Sequence, residues 1–242
     1  SIGANEPARN LLAYGPARLS IQGELSMDRE RGQISPVYSV LYQAGNLRNI
    51  EHWLKDLTLE GIFLRIEKVK QLLVDLMPHV TEIELKGKNV LYREKGHWVP
   101  AHHLGSGHKS ILAMIGDMLI RLFEAQPEVT EPQALKGIVL IDELESHLHP
   151  RWQREFPQKL SQTFPLVQFI ATTHSVLPFL GAPEGSVFLK VSRDEKEGTT
   201  VERLDIDVAN LLPNSLLTSP LFELDSILSK QNQDFSKLHT AD

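Results

Sequence analysis

Two apolar runs joined by one helix place the strongest constraint on the fold of this chain. Residues 138–141 are all apolar, and residues 167–171 form a second, mainly apolar run. Runs of this kind are typical of strands that are buried on both faces of a parallel sheet. Between them, Pro150 is suited to the first turn of a helix that we expect to extend to about Thr163. The sequence therefore predicts a strand, helix, strand unit and an α/β fold with a parallel core sheet.

Composition excludes several classes of protein. Hydrophobic residues make up 41% and charged residues 23% of the 242 positions, as in ordinary soluble globular proteins. The net charge of -6 provides no global basic field that could hold a nucleic acid without a local patch or a partner. The absence of cysteine excludes disulfides, thiolate zinc sites and cysteine nucleophiles. Because the apolar stretches are far shorter than the roughly 20 residues of a membrane span, we predict a cytoplasmic protein without membrane contact.

The remaining pattern predicts the other elements. A strand-like run covers residues 11–14, and three short runs at 80–85, 90–93 and 98–99 have the turn punctuation of a small antiparallel meander. Residues 111–123 carry an apolar stripe at helical spacing, and residues 187–191 and 200–204 resemble a closing hairpin. Before Pro78, an amphipathic helix within a helical insertion is predicted by apolar residues at steps of three and four: Ile62, Ile66, Val69, Leu73 and Leu76.

Two adjacent acids, Asp142 and Glu143, follow the first apolar strand and form what we call the acid pair. At the carboxyl end of a parallel strand they would face the crevice where α/β sheets bind ligands. Asp142 could hold the hydration shell of Mg²⁺, and Glu143 could orient and deprotonate a water molecule. The competing interpretation is that both acids only solvate the end of a strand.

A glycine loop precedes the long helix, and a histidine follows the second apolar strand. The loop contains Gly105, Ser106, Gly107 and Lys109, but His108 stands where a phosphate loop of the Walker A type requires glycine. We interpret it as a turn that directs backbone N–H groups and a helix N-terminus toward a phosphate. His174 comes just after the run at 167–171.

A metal-dependent hydrolase is an alternative from a different class. His147 and His149 form an H-x-H pair a few residues after the acid pair. Together with Asp142, Glu143 and His174 they could form a metal cluster.

The order of these motifs resembles a known family. L-G-S-G-H-K-S, a long helix, G-I-V-L-I-D-E-L-E-S-H-L-H-P-R-W-Q-R and F-P-L-V-Q-F-I-A-T-T-H-S look like the C-terminal half of an ABC-type ATPase of the SMC/RecF/OLD group, closest to its stand-alone bacterial AAA-like members. The resemblance covers about residues 98–180 strongly, and residues 13–18 and the tail weakly. It implies a P-loop NTPase domain of the ABC type with ATP and Mg²⁺ as cofactors.

The resemblance also implies roles for individual residues. Residues 104–109, here named the signature loop, would meet the γ-phosphate bound to the opposite subunit through Gly105, Ser106, Gly107 and Lys109. Asp142 would be the Walker B acid and metal ligand, Glu143 the catalytic base and His174 the switch histidine. Residues 145–149 would form the D-loop region.

Two departures from the family pattern affect this transfer. Gly105 stands where the family usually has serine. The 242 residues also contain no G-x-x-x-x-G-K-[ST], which the family carries near its N-terminus, and we expect that lobe upstream of Ser1.

The expected organisation has four parts. Residues 1–45 belong to an N-terminal β region, 46–100 to a helical and β-meander insertion, 101–206 to the C-terminal lobe of the ATPase and 207–242 to a helical tail. The expected function is ATP hydrolysis that drives closure of a homodimer. By resemblance, it would be coupled to DNA or RNA transactions or to anti-phage defence, with a nuclease partner. A non-hydrolysing scaffold for partner assembly is the second hypothesis.

Overall fold

The computed structural model describes residues 10–16, 47–87, 89–194 and 198–205. Predictions for the remaining residues, including the helical tail at 207–242, lie outside the described part. The described elements in chain order are β1 (Leu11–Tyr14), α1 (Ile50–Leu59), α2 (Phe63–Leu76), β2 (Val80–Lys86), β3 (Asn89–Glu94), β4 (His97–Pro100), α3 (Ser106–Ala125), β5 (Gly137–Ile141), α4 (Pro150–Thr163), β6 (Val167–Ala171), α5 (Val176–Leu180), β7 (Phe188–Asp194) and β8 (Gly198–Leu204).

A parallel sheet of three strands in the order β1, β5, β6 lies at the centre of the fold. Ile141 is opposite Tyr14 on one side and opposite Ala171 on the other, so the three strands end level with one another. Helix α4 begins at Pro150 and connects β5 to β6. The predicted strand, helix, strand unit and the α/β class are confirmed.

The helical region before Pro78 differs from the prediction. A single amphipathic helix was expected, whereas the chain forms α1 and α2 with a turn between them. Gly61 lies in that turn with a φ of 76°, a conformation that glycine adopts without strain. The predicted apolar face belongs to α2, where Ile66, Val69 and Leu73 are buried.

The predicted meander and closing hairpin are both present. Strands β2, β3 and β4 form an antiparallel sheet, in which Tyr92 lies opposite Ile83 and Val99. Strands β7 and β8 form a separate antiparallel pair, with Val191 opposite Val201. None of the helices in the described ranges combines the length and the apolar character that a membrane crossing needs.

The long helix α3 organises the core, because its residues from Ser110 to Phe123 are buried on every side. A Cβ atom at Gly116 would lie 2.7 Å from Cβ of Ile50, so α1 packs very closely against α3. Residues of the parallel sheet, the three helices α1 to α3 and the meander belong to one hydrophobic cluster. The division of the chain at 46–100 stays a prediction.

A buried polar network joins α3 to β1. Asp117 accepts hydrogen bonds from the hydroxyl of Tyr14 at 2.9 Å, from Nε of Arg121 at 2.8 Å and from the backbone N–H of Arg48 at 2.8 Å. Burial, reinforced by the charge of Asp117, raises the pKa of Tyr14 well above its ordinary value, so its hydroxyl stays protonated and donates. The network fixes the end of β1, which is beside the acid pair, relative to α3.

Candidate nucleotide-hydrolysis site

The carboxyl ends of the three parallel strands continue into one hydrogen-bonded edge. The backbone N–H of Asp142 donates to the carbonyl of Tyr14 at 2.8 Å, and that of Thr172 donates to the carbonyl of Ile141 at 2.9 Å. The acid pair therefore lies between the residues that follow β1 and β6. This is the edge at which ligands bind in open α/β sheets.

Thr172 anchors both members of the acid pair. Its hydroxyl donates to Oδ1 of Asp142 at 2.5 Å and accepts the backbone N–H of Glu143 at 2.9 Å. The hydrogen bond from Thr172 holds the Asp142 carboxylate in one orientation. Because Asp142 is only half-buried, part of the residue remains accessible. Thr172 was not among the predicted site residues, although the signal was available: it is a hydroxyl residue directly after the strand that neighbours β5.

Glu143 has an unusual backbone conformation. Its φ of 49° lies in the left-handed region, which costs free energy for a residue with a side chain and is concentrated at functional sites. The carboxylate is held by Ser146, whose hydroxyl donates to Oε2 at 2.8 Å. The backbone N–H of Ser146 also donates to the carbonyl of Glu143 at 2.9 Å, which closes a tight turn. The chain therefore turns at Glu143 instead of continuing the extended strand, and the same turn holds the Glu143 carboxylate through Ser146.

His174 is placed at the same edge through its backbone. Its N–H donates to Oε1 of Glu145 at 2.7 Å, whereas its side chain is exposed. The next residue, Ser175, caps α5 by accepting the N–H of Leu177 at 3.3 Å, and its hydroxyl donates to Oε1 of Gln153 at 3.0 Å. The structure thus brings Asp142, Glu143 and His174 to the ends of neighbouring strands, as their positions in the sequence indicated.

The signature loop leads into the N-terminus of α3. Gly105 precedes the helix, and both Gly105 and Ser106 are exposed, while Lys109 is half-buried. Gly107 is buried, and a Cβ atom there would lie 2.7 Å from Cζ3 of Trp152 and 3.1 Å from the carbonyl oxygen of His147. Gly107 is thus explained by close packing, whereas the exposed Gly105 and Ser106 leave their backbone open to a ligand.

His108 fixes the signature loop from the inside of the protein. It is only 4% exposed, its Nε2 lies 2.5 Å from the carbonyl oxygen of Pro78, and its ring centroid is 4.6 Å from that of Trp152. Its Nδ1 lies 3.4 Å from Oε1 of Glu94 on β3. From the sequence, His108 only excluded a phosphate loop of the Walker A type. In the structure it ties the signature loop to the meander and to α4.

The residues at the sheet edge fit Mg²⁺ better than they fit a protein-only metal cluster. Among the described residues, no group of three or more His, Asp or Glu side chains could hold a metal ion. This weighs against the hydrolase built on His147 and His149. Mg²⁺ is usually held by one or two carboxylates, several waters and substrate phosphates, and the oriented carboxylate of Asp142 meets that requirement.

A parallel sheet with an acid pair at its carboxyl edge, together with a glycine loop that begins a long buried helix, places the chain among α/β proteins whose ligand sites lie at the ends of parallel strands. A family profile described as "AAA domain, putative AbiEii toxin, Type IV TA system" matches residues 25–179. The chain belongs to this family, and the resemblance to ABC- and AAA-like ATPases is confirmed.

Three relatives have similar sequences over part of the chain. "Retron Vc95 probable ATPase" of Vibrio cholerae serotype O1 biovar El Tor is 36% identical over 118 residues, which is 49% of this chain and 21% of the relative. "Septu protein PtuA" of Bacillus mycoides (strain KBAB4) is 33% identical over 142 residues, 56% of this chain and 18% of the relative. "Retron Ec83 probable ATPase" of Escherichia coli is 49% identical over 72 residues, 30% of this chain and 13% of the relative. The matches thus span about a fifth or less of these relatives.

Solved structures of SMC heads are also similar in part. One, described as "SMC head domain from Thermotoga maritima", is 17% identical with a TM-score of 0.43 over 64% of this chain and 52% of that chain. Another, described under "ATP-driven dimerization and DNA stimulated activation of SMC ATPases", is 14% identical with a TM-score of 0.45 over 62% and 89%.

Proposed function

We propose that the protein binds and hydrolyses ATP with the help of Mg²⁺, using the edge formed by β1, β5 and β6. The observation that carries this proposal is the arrangement of Glu143. It has left-handed backbone geometry, its carboxylate is held by Ser146, and it is adjacent to an Asp142 carboxylate that Thr172 orients. A solvating acid at a strand end would need neither the strained backbone nor the two hydroxyl anchors.

Each residue at the edge then has a defined task. Asp142 holds Mg²⁺ through its hydration shell, and the ion when bound would neutralise charge on the phosphates. Glu143 orients the attacking water and accepts its proton at the carboxylate. His174, exposed at the end of the neighbouring strand, stabilises charge that develops on the terminal phosphate.

The signature loop serves a second copy of the chain in this proposal. Gly105, Ser106 and Lys109 lie at the N-terminus of α3, where backbone N–H groups and the helix dipole favour a phosphate. By resemblance, the phosphate is the one bound to the partner subunit of a homodimer. ATP hydrolysis would then be coupled to closure and opening of that dimer.

The retron and Septu relatives suggest the biological setting. We infer a cytoplasmic role in anti-phage defence, with a nuclease as protein partner and DNA or RNA as the molecule acted on. The sequence similarity to ATPases of retron and Septu systems supports this inference. The scaffold hypothesis predicts, in contrast, a protein that assembles partners without ATP turnover.

The substitution His174→Ala in the complete protein tests the proposed chemistry. We expect kcat to fall by roughly a hundredfold or more while KM for ATP changes little, because contacts that strengthen only in the transition state act on kcat. His97→Ala, which removes an exposed histidine of β4, is the matched control and should retain turnover. Unchanged turnover in His174→Ala, or no ATP binding by the complete protein, would favour the scaffold.

A further inference from the structure

Glu145 links the two loops that carry the proposed catalytic groups. Its Oε1 accepts the backbone N–H of His174 at 2.7 Å, so a side chain after β5 holds the main chain after β6. The two loops are also joined by the N–H of Leu144, which donates to the carbonyl of Thr172 at 3.0 Å. Glu145 is two residues beyond Glu143 in the same tight turn, and it therefore connects the proposed base to His174 through a short, stiff path.

The environment of Glu145 is poorly explained by stability alone. Its Oε2 is buried and has no hydrogen-bond partner among the described residues. A buried acceptor without a donor destabilises a fold, and a charged one does so more strongly. A long side chain with a buried, unpartnered acceptor therefore calls for a reason other than stability, and the bond from its other oxygen to His174 supplies one.

His174 depends on its backbone for its position. Its side chain is exposed, so packing does little to fix the ring. On the far side, Ser175 is anchored to Gln153, whose Nε2 donates to the carbonyl of Leu148 at 3.0 Å. Glu145 provides the matching anchor at His174 itself, and a hydrogen bond with a charged acceptor is stronger than a neutral one.

We propose that Glu145 is a positioning residue, which sets the place of the His174 ring relative to Glu143 by holding the His174 backbone. This inference rests on the proposed function, because it gives Glu145 a task in ATP turnover. Displacement of a reacting group by about 1 Å can lower a rate by about a hundredfold. Loss of this one hydrogen bond is therefore enough to affect turnover without contact between Glu145 and ATP.

Three substitutions separate the hydrogen bond from the charge and from the fold. Glu145→Gln keeps an acceptor at the same reach, Glu145→Asp keeps the charge but withdraws the carboxylate, and Glu145→Ala removes both. In the complete protein we expect kcat to fall by roughly tenfold to a hundredfold in the Asp and Ala variants, with little change in KM for ATP. The Gln variant should retain most of the turnover, as should Glu128→Ala, which changes an exposed glutamate after α3.

A double substitution shows whether Glu145 acts through His174. If it does, Glu145→Ala combined with His174→Ala will be no slower than His174→Ala alone. Independent, multiplying losses would overturn the proposal, and so would equal losses in the Gln and Ala variants.

Hydrogen exchange provides a readout that needs no ATP turnover. In the nucleotide-free protein, the peptide that contains His174 should exchange faster in Glu145→Ala than in the parent or in Glu145→Gln. Unchanged exchange would overturn the proposal even if ATP is hydrolysed. If exchange is faster in Glu145→Ala but turnover is normal in His174→Ala, Glu145 does position the loop, and the proposed function is contradicted.

Discussion

Two glycines of the signature loop, Gly105 and Gly107, have different physical roles. Gly105 is exposed, and a Cβ atom there would meet only Nδ1 of His108 at 3.7 Å, an ordinary contact. A Cβ atom at Gly107 would lie 2.7 Å from the indole of Trp152, which is closer than a Cβ atom tolerates, and 3.1 Å from the carbonyl oxygen of His147, which is a tight contact. The spacing between α3 and the residues around the start of α4 is therefore set by the missing side chain at Gly107.

Gly107→Ala should therefore destabilise the protein more than Gly105→Ala does. An added methyl group in a well-packed region forces neighbours to shift, typically at about 1–3 kcal/mol. We expect denaturant unfolding to show this loss for Gly107→Ala and a smaller loss for Gly105→Ala, where alanine replaces the N-cap glycine of α3. Equal stability of the two variants would contradict the packing role of Gly107.

At this scale, the sequence located the candidate residues but not their anchors. Asp142, Glu143 and His174 could be proposed because each closely follows an apolar strand, and the ends of parallel strands lie together. Thr172 could have been assigned from its place directly after β6, whereas the hydrogen bond of Glu145 depends on the left-handed turn at Glu143. A hydrophobic pattern does not predict the backbone conformation of a single residue.

Helix α1 brings a partly buried acid against the meander. Burial raises the pKa of Glu51, while the Tyr92 hydroxyl and the nearby basic side chains of Lys55, His52 and His102 oppose part of that shift. Burial likewise raises the pKa of Tyr92 far above its ordinary value, with the charge of Glu51 adding to the effect. The contact between α1 and β3 therefore favours the protonated form of Glu51.

Glu51→Gln should stabilise the protein increasingly as the pH rises. The folded state binds the Glu51 proton more tightly than the unfolded state does. The stabilising effect of this proton is therefore present below the ordinary pKa of 4.5 and is lost as the pH rises past the raised pKa of the folded state. Glutamine is neutral throughout. The difference in Tm between Glu51→Gln and the parent should grow between about pH 4 and about pH 7. Glu60→Gln, at the exposed end of α1, is the control, and a pH-independent difference for Glu51→Gln would contradict the assignment.

Helices and strands could be predicted from the sequence where the hydrophobic pattern agrees with residues that begin or end an element. Strands β5 and β6 and helix α4 were expected close to their observed bounds, because continuous apolar runs and Pro150 mark them. The separate helices α1 and α2 were not expected, although the buried residues of α1 end at Leu57 and those of α2 begin at Ile66, which is out of phase with them. This break in spacing, together with Gly61, was the signal that could have separated the two helices.

At the scale of the whole molecule, the signature loop and the acid pair are separate features, and the loop packs against residues that follow the acid pair in the chain. The acid pair lies at the carboxyl edge of the parallel sheet, whereas the signature loop contacts His147 and Trp152 farther along the chain. Both present groups suited to a phosphate. In the proposed function, the acid pair of one copy and the signature loop of a second copy contact the same nucleotide.

Glu143→Gln in the complete protein should trap a dimer with ATP between the subunits. Removal of the base slows hydrolysis by roughly a hundredfold to ten-thousandfold, while the amide can still accept the hydrogen bond from Ser146. ATP then persists, and its binding continues to favour the closed dimer by mass action. Light scattering with and without ATP and Mg²⁺ measures this, once the resting oligomer is known, with Glu128→Gln as the exposed control. A Glu143→Gln protein that stays monomeric at saturating ATP would refute a site shared between subunits. Hydrolysis of ATP at the parent rate would also refute it, because in this mechanism slow turnover is what keeps the dimer closed.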